Sequence, residues 1–175
     1  MRKKWTSIFL KTKLKLASNL KNLSSYDATT IPSGLGKKIG IVCSEWNTNI
    51  TTALLQGAVD ILLKHGVKEE NIELIYVPGT FELPFASQQL IENSDVDGII
   101  ALGCVIQGET PHFDFICDAT ATGLMNVGLQ TKKPCVFGVI TTLNLEQALD
   151  RAGGKHGNKG VEAGVTLLKM LTFGR

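Results

Sequence analysis

The sequence contains no uninterrupted apolar run of membrane-spanning length, for which about 20 consecutive apolar residues are needed. Apolar residues nevertheless make up 43% of its 175 residues. In a chain of this length, that proportion is enough to form one buried core. We therefore expect a single globular domain and no membrane partner.

Closely spaced cysteines are also lacking. The sequence has four cysteines and no CxxC pair, whereas zinc sites and disulfide frameworks usually show such spacing. We expect no metal site from this pattern. The apolar surroundings of the cysteines indicate buried free thiols in a reducing cytoplasm. The four positions are Cys43, Cys104, Cys117 and Cys135.

Acidic side chains are absent from the first 26 residues, which carry seven Lys and Arg residues. The rest of the chain carries 11 basic and 16 acidic side chains, and this excess of acid argues against a nucleic-acid partner. We expect the basic segment to be a disordered extension, with an organellar transit peptide as the alternative. Residues 31–36 contain Pro and Gly and are interpreted as a linker. The predicted division is an extension with linker at 1–37 and one α/β domain at 38–175.

Four short apolar segments alternate with segments of helical periodicity. The predicted strands are residues 39–43, 72–77, 99–106 and 135–141. A helix is expected after each of the first three strands. After the fourth, Asn144 is placed to cap a short helix that ends at Arg151, and a last helix is predicted near 159–171. The alternation predicts a three-layer α/β/α sandwich around a narrow parallel sheet of four strands, with an edge that another subunit can complete.

Polar and aromatic residues follow all four predicted strands. The carboxyl ends of parallel strands lie at one edge of the sheet, and open α/β sheets bind their ligands there. The strand ends therefore predict a ligand site. The segments concerned are residues 44–49, 77–82, 103–112 and 141–144.

Trp46, His112 and Arg151 each admit two interpretations. The indole of Trp46 is suited to stacking on a flat heteroaromatic ring, or it caps the edge of the sheet. His112 either transfers a proton near neutral pH or is a surface or capping residue. The guanidinium of Arg151 either clamps a phosphate or pairs with the end of its own helix. The glycine-rich segment 151–160 lacks the Walker order of residues, which argues against an NTPase.

The amides of residues 80–82 are a further candidate contact. Gly79 permits a sharp turn before them, and amides at the start of a helix suit polar or anionic ligand atoms. The alternative is an ordinary helix start, with Thr80 as its cap and Glu82 stabilised by the helix dipole.

Five motifs follow one another in a fixed order along most of the chain. They are Ile39-Gly-Ile-Val42 with Trp46-Asn47, Val77-Pro-Gly-Thr-Phe-Glu-Leu-Pro84, Leu102-Gly-Cys-Val-Ile-Gln-Gly-Glu-Thr110 with His112-Phe-Asp114, Phe137-Gly-Val-Ile-Thr-Thr142, and Asp150-Arg-Ala-Gly-Gly-Lys-His-Gly-Asn-Lys-Gly160. Together they resemble the 6,7-dimethyl-8-ribityllumazine synthase family, from about residue 38 to the end of the chain. The resemblance implies a flavodoxin-like fold and a transferase of riboflavin biosynthesis.

Membership in this family implies a defined reaction. The enzyme would condense 5-amino-6-(D-ribitylamino)uracil with 3,4-dihydroxy-2-butanone 4-phosphate to form 6,7-dimethyl-8-ribityllumazine. Phosphate and water are released, and no cofactor is implied. This is the penultimate step of riboflavin biosynthesis.

The resemblance also assigns roles to individual residues. It implies that His112 is the general acid and base, and that Arg151 is catalytic through its contact with the phosphorylated ketone, together with Glu109 and Thr110. Asn47 and Lys159 are expected among the substrate-binding residues. The positions that match the pyrimidine and ribityl contacts are Trp46, Thr80, Phe81, Glu82, Cys104, Val105 and Ile106.

Phe137 matches a residue that family members contribute from the adjacent subunit. The resemblance therefore implies a homopentamer, with a sixty-subunit shell and an association with riboflavin synthase as open alternatives. Gln107, often basic in the family, and Pro111, often Thr or Ser, depart from the commoner pattern. Two rival functions stay open. A non-catalytic flavin-binding module would bind flavin tightly without forming lumazine, and a scaffold with vestigial catalysis would assemble without turnover.

Overall fold

The computed structural model describes residues 27–173, in which strands and helices alternate as predicted. Short 3-10 turns occupy Ala28–Thr30, Glu69–Asn71 and Thr80–Glu82. The other elements are β1 (Ile39–Ser44), α1 (Thr48–Lys64), β2 (Ile72–Val77), α2 (Leu83–Asn93), β3 (Gly98–Ile106), α3 (His112–Thr131), β4 (Cys135–Thr142), α4 (Leu145–Arg151), β5 (Ala152–Gly154), β6 (Gly157–Asn158) and α5 (Lys159–Met170).

The first four strands form one parallel sheet in the order β2, β1, β3, β4. This confirms the predicted four-stranded sheet, and the order is that of a flavodoxin-like fold without a fifth strand. From β1 the chain continues to β2 on one side, and from β3 it continues to β4 on the other side. The carboxyl ends of β1 and β3 are therefore the point where the strand order reverses, and sheets of this kind bind ligands at that point.

Helices cover both faces of the sheet and complete the predicted three-layer sandwich. On one face, Leu54 of α1 and Leu167 of α5 join Ile41 in a buried core. On the opposite face, Leu124 of α3 belongs to a second core with Val42. Ile41 and Val42 are neighbours in β1, and they reach different cores because successive strand residues point to opposite faces.

The two edge strands expose large side chains. All six residues of β1 are buried, whereas Tyr76 of β2 is 57% exposed and Phe137 of β4 is 42% exposed. β4 alternates between buried and more exposed positions, as an edge strand does. Both edges of the narrow sheet thus present apolar surface.

The chain between α4 and α5 differs from the expected plain turn, because β5 and β6 pair there as a short antiparallel hairpin. Gly153 and Gly157 have φ angles of 120° and 74°, a region that glycine adopts with little strain. The flanking helices agree with the prediction. The Oδ1 atom of Asn144 accepts a hydrogen bond from the amide of Gln147 at 2.9 Å, and α5 begins at Lys159.

The prediction of buried free thiols holds for Cys43 and Cys104, which are buried, and is wrong for Cys117 and Cys135, which are half-buried. Cys117 is half-buried because it lies at the margin of the α3 face that packs on the sheet. Cys135 opens the edge strand β4 at one of its more exposed, alternate positions.

The prediction for residues 1–26 lies outside the described residues. Residues 31–36, interpreted as a linker, pack on the domain. The side chain of Ile31 is buried in the core, and the amide of Gly34 donates to the carbonyl of His65 at 2.8 Å. The boundary at residue 38 stays a prediction. Within residues 27–173, no helix is both long enough and apolar enough to cross a membrane.

Candidate active site

The ends of β1 and β3 are joined by a side chain. Asn47 precedes α1 with a left-handed backbone (φ 59°, ψ 47°), a conformation that Asn tolerates better than most residues. Its side-chain amide donates a hydrogen bond to the carbonyl of Cys104 at 2.9 Å. This contact fixes the loop that carries Trp46 against the end of β3. The indole of Trp46 is 71% exposed, so it does not cap the sheet edge by burial.

The turn after β2 reaches the same place. Gly79 is followed by the 3-10 turn Thr80–Glu82 and then by α2, whose first turn contains Pro84, as predicted. A carboxylate oxygen of Glu82 accepts a hydrogen bond from the Gly79 amide at 3.0 Å. The alternative of Thr80 as a side-chain cap is not observed, because Gly79 occupies the cap position.

His112 is the first residue of α3 and not the end of a loop, which corrects the expectation from sequence. Pro111 takes the cap position with φ −67°, and its carbonyl accepts a hydrogen bond from the Asp114 amide at 3.1 Å. Proline suits this position because its fixed φ is compatible with the start of a helix and no amide hydrogen is needed there. The imidazole of His112 is exposed, so it is free to meet a bound ligand.

These segments enclose a cavity of about 540 Å³ at the carboxyl end of the sheet. Its volume lies within the usual range for small-molecule sites. Aromatic side chains, a 3-10 turn, a carboxylate and an imidazole line it, a combination that suits a planar ligand with several hydrogen-bonding groups and a proton to transfer. The lining residues are Trp46, Asn47, Gly79, Thr80, Phe81, Glu82, Cys104, Val105, Ile106, His112 and Ile116.

Cys104 is the thiol of this cavity. Burial raises its pKa from the ordinary value near 9 to about 11. The thiol is therefore protonated at neutral pH and is a poor nucleophile, because the thiolate is the reactive form. The other side chains of the cavity that can exchange a proton are the carboxylate of Glu82 and the imidazole of His112. Among the described residues, no cluster of three or more His, Cys, Asp or Glu side chains is placed to hold a metal ion.

Phe137 and Lys159 lie in a different depression. A groove of about 460 Å³ runs between the edge strand β4 and α5, and both residues are part of its lining. The Nζ atom of Lys159 is 2.9 Å from each carboxylate oxygen of Glu162, which also lines the groove. The structure thus brings nine of the predicted site residues together in the cavity and leaves these two in a second place on the same chain.

The remaining predicted site residues do not line the cavity. Glu109 and Thr110 are exposed in the loop between β3 and α3, just before His112. Arg151 is half-buried at the end of α4, and its Nη1 atom donates to the carbonyl of Gln147 at 2.8 Å. This contact is the helix-end pairing that was the alternative interpretation of Arg151.

Ile116 and Glu162 are among the lining residues that the sequence did not predict. Ile116 lines the cavity one turn after His112, and Glu162 lines the groove three residues after Lys159. Both follow from the helical rule that residues three or four apart share a face, once α3 and α5 are known to begin at His112 and Lys159.

Comparison with known proteins gives one consistent result. The family model for 6,7-dimethyl-8-ribityllumazine synthase matches residues 36–175. A protein of that name from Porphyromonas gingivalis is 52% identical over 155 residues, which is 89% of this chain and 96% of the relative. Another from Cytophaga hutchinsonii is 56% identical over 156 residues, with 89% and 98% covered. A third from Phocaeicola vulgatus is 48% identical over 158 residues, with 90% and 94% covered.

A match of this extent covers the whole cavity, the groove and the elements that carry them. The chain belongs to the 6,7-dimethyl-8-ribityllumazine synthase family, transferases of riboflavin biosynthesis.

Proposed function

We propose that the chain condenses 5-amino-6-(D-ribitylamino)uracil with 3,4-dihydroxy-2-butanone 4-phosphate to 6,7-dimethyl-8-ribityllumazine. The amine adds to the ketone and one water leaves as the imine forms. Phosphate is then eliminated, and closure of the second ring releases another water. Every step moves protons and none changes the overall oxidation state, so the reaction needs acid–base groups and no redox partner.

The observation that carries the proposal is the lining of the cavity. A pyrimidine ring has room to stack on the exposed indole of Trp46, and its polar edge and the ribityl hydroxyls can bond to the turn Thr80–Glu82 and to the end of β3. His112 lies at the rim of the same cavity, where its imidazole can accept and return the protons of imine formation and elimination.

The phosphorylated ketone is assigned to the neighbouring loop. Glu109 and Thr110 are exposed beside His112, and the guanidinium of Arg151 offers the planar donor set that phosphate prefers. In this arrangement the two reactants meet at His112. Holding them in register would then supply much of the acceleration, since orientation replaces a bimolecular encounter.

The direct test is to mix the purified protein with both substrates and to measure the fluorescent lumazine and the released phosphate together. We expect equal amounts of the two products, formed well above the slow uncatalysed background. A protein that binds flavin tightly but yields no lumazine would instead be the flavin-binding module. Normal assembly without turnover would identify a scaffold.

We further propose that the active site is shared between subunits of a homopentamer. The cavity and the groove hold complementary parts of the predicted contact set, Trp46 and Glu82 in one and Phe137 and Lys159 in the other. A subunit that presents its groove to the cavity of its neighbour would complete each site. The sixty-subunit shell, the association with riboflavin synthase and the cytoplasmic location stay predictions, the last consistent with free thiols.

Mixed assemblies test the shared site. Subunits with Trp46→Ala are combined with subunits with Phe137→Ser, either by co-expression or by joint refolding. Interfaces that join the two intact halves should raise the activity above the mean of the two pure variants. The matched control mixes Trp46→Ala subunits with Glu82→Gln subunits. Both changes lie in the cavity, so no interface in this mixture joins two intact halves. If neither mixture is more active than the mean of its two pure variants, the result argues for a site within one chain. Light scattering gives the number of subunits.

A further inference from the structure

The turn Thr80–Glu82 needs a support outside itself. It carries three of the proposed substrate contacts, yet it is a single 3-10 turn between β2 and α2. Its buried member is Thr80, whose carbonyl accepts a hydrogen bond from the Leu83 amide within the turn. The same carbonyl accepts a second hydrogen bond, at 3.2 Å, from the Oγ1 atom of Thr120. Thr120 belongs to α3 and is fully buried.

Close packing surrounds this hydrogen bond. A Cβ atom on Gly123 of α3 would lie 2.7 Å from Cγ of Pro84, and one on Gly103 of β3 would lie 3.0 Å from Oγ1 of Thr80. Both distances are shorter than an ordinary van der Waals contact, so glycine at these positions lets α3 and β3 approach the turn this closely. Within this tight packing, the hydroxyl of Thr120 provides a side-chain hydrogen bond from α3 to the turn.

Thr120 lies in the middle of the helix that also carries His112, the proposed proton-transfer residue. His112 opens α3, and Thr120 follows it by about two helical turns, or roughly 12 Å along the axis. A shift of α3 relative to the turn would therefore change the position of the imidazole relative to the amides of Thr80 and Phe81. Thr120 does not line the cavity, so it has no direct contact with a ligand there.

We infer that Thr120 is a positioning residue: through its hydrogen bond to Thr80, it holds the pyrimidine-binding turn in register with the helix that presents His112. The inference rests on the proposed function for the identity of the substrate. Without the hydroxyl, one of the two hydrogen bonds to the buried Thr80 carbonyl is lost where water cannot replace it. The turn then becomes more mobile. This weakens binding of the ribitylaminouracil, which the turn contacts, more than binding of the phosphorylated ketone.

The test replaces Thr120 with Val, which keeps the shape and removes the hydroxyl, and with Ser, which keeps the hydroxyl. We expect Thr120→Val to raise KM for the ribitylaminouracil about tenfold, the change that corresponds to one lost hydrogen bond of ordinary strength. KM for the phosphorylated ketone should change much less. In Thr120→Ser, KM for the ribitylaminouracil should lie close to the wild-type value, because the hydroxyl is kept.

Thr131→Val is the matched control. It removes a hydroxyl from the same helix, but that hydroxyl bonds to the carbonyl of Val127 in α3 itself at 2.7 Å. It should leave both KM values unchanged. If Thr120→Val folds poorly, the comparison of Thr120→Ala with Thr120→Ser tests the same hydrogen bond. A parallel rise of both KM values in these variants, or no rise of either, overturns the inference.

Amide hydrogen exchange separates this inference from the proposed function. Measured without substrates, exchange at Phe81 and Glu82 should accelerate in Thr120→Val and not in Thr131→Val. This result does not depend on any reaction. Unchanged exchange with unchanged kinetics refutes the positioning role, whereas a wild-type protein that forms no lumazine refutes the function alone.

Discussion

His112 is exposed at the start of α3 and faces a cavity whose thiol is protonated at neutral pH. We expect His112→Ala to lower kcat by roughly tenfold to a thousandfold, at or below the usual contribution of a general acid–base group. Binding of the two substrates should change little, because the cavity walls are retained. Steady-state kinetics with each substrate varied in turn checks this. Wild-type kcat in the variant would remove His112 from the mechanism.

Arg151 has two competing roles that one variant separates. If its guanidinium binds phosphate, Arg151→Ala should raise KM for the phosphorylated ketone by about tenfold to a hundredfold, as expected for lost charged hydrogen bonds. It should also lower kcat, because a ketone that is not held in register reacts slowly, so that kcat/KM falls further than in His112→Ala. Arg151→Lys, which keeps the charge but not the planar fork, should recover only part of the affinity. A lower stability with unchanged KM would instead support the helix-end contact with Gln147.

Asn47 combines a left-handed backbone with a side-chain hydrogen bond to Cys104. Asn47→Gly loses the hydrogen bond and fits the backbone, whereas Asn47→Ala loses the hydrogen bond and is strained there. We therefore expect Asn47→Ala to have a free energy of unfolding lower than that of Asn47→Gly by about 1 to 2 kcal/mol. Urea denaturation of the two variants gives the difference. Equal stabilities would show that the backbone conformation costs nothing.

At the scale of elements, Asn158 connects α5 to α1. Its Oδ1 atom accepts hydrogen bonds from the amides of Gly160 and Val161, at 2.8 and 3.3 Å, and its Nδ2 atom donates to the carbonyl of Ala53 at 2.8 Å. The side chain therefore caps one helix and bonds to another. Gly57 leaves room for it, because a Cβ atom at that position would lie 2.6 Å from Oδ1 of Asn158.

We expect Asn158→Ala to lower the free energy of unfolding by about 1 to 3 kcal/mol, through the lost cap of α5 and the lost hydrogen bond to α1. Asn144→Ala is the comparison, since Asn144 caps α4 at an exposed position and makes no contact of this kind with a second helix. Its loss should be smaller, near 1 kcal/mol. Chemical denaturation of both variants checks the order, and a larger loss at Asn144 would contradict it.

All four strands of the parallel sheet were predicted to within one residue at either end, the largely exposed edge strand β2 included. The strands 39–43 and 99–106 agree with β1 and β3 to within one residue, because strands covered on both faces are continuously apolar. The hairpin of β5 and β6 was missed, since two or three glycine-rich residues have no periodicity to detect. The start of α3 was missed because Gly108 and Pro111 are typical of loops, although Pro111 also fits the first position of a helix.

At the scale of the whole molecule, buried thiols link stability to alkaline pH. Burial raises the pKa of Cys43, Cys104 and Cys135 to about 11, from an ordinary value near 9. As the pH rises, these thiols lose their protons at a lower pH in the unfolded chain than in the folded protein. Their contribution to stability is therefore complete below pH 9 and is lost as the pH rises towards 11.

We expect the stability advantage of the wild-type chain over Cys43→Ala to shrink between pH 9 and about 11, because only the wild-type chain carries that buried thiol. Urea midpoints of the two proteins across this range measure it. Both proteins carry the same other groups that titrate at alkaline pH, so the contribution of those groups to stability cancels in the difference. An advantage that stays constant with pH would show that the Cys43 thiol is not coupled to unfolding.

The sequence by itself determined the fold class, the family and which residue types are available for chemistry, because apolar periodicity and ordered motifs are local properties of the chain. Only the tertiary structure decided how those residues are grouped. Trp46, Glu82 and His112 meet in one cavity because the parallel strands that precede them end at one edge of the sheet. Phe137 and Lys159 line a separate groove because β4 is the edge strand of the sheet and α5 packs beside it.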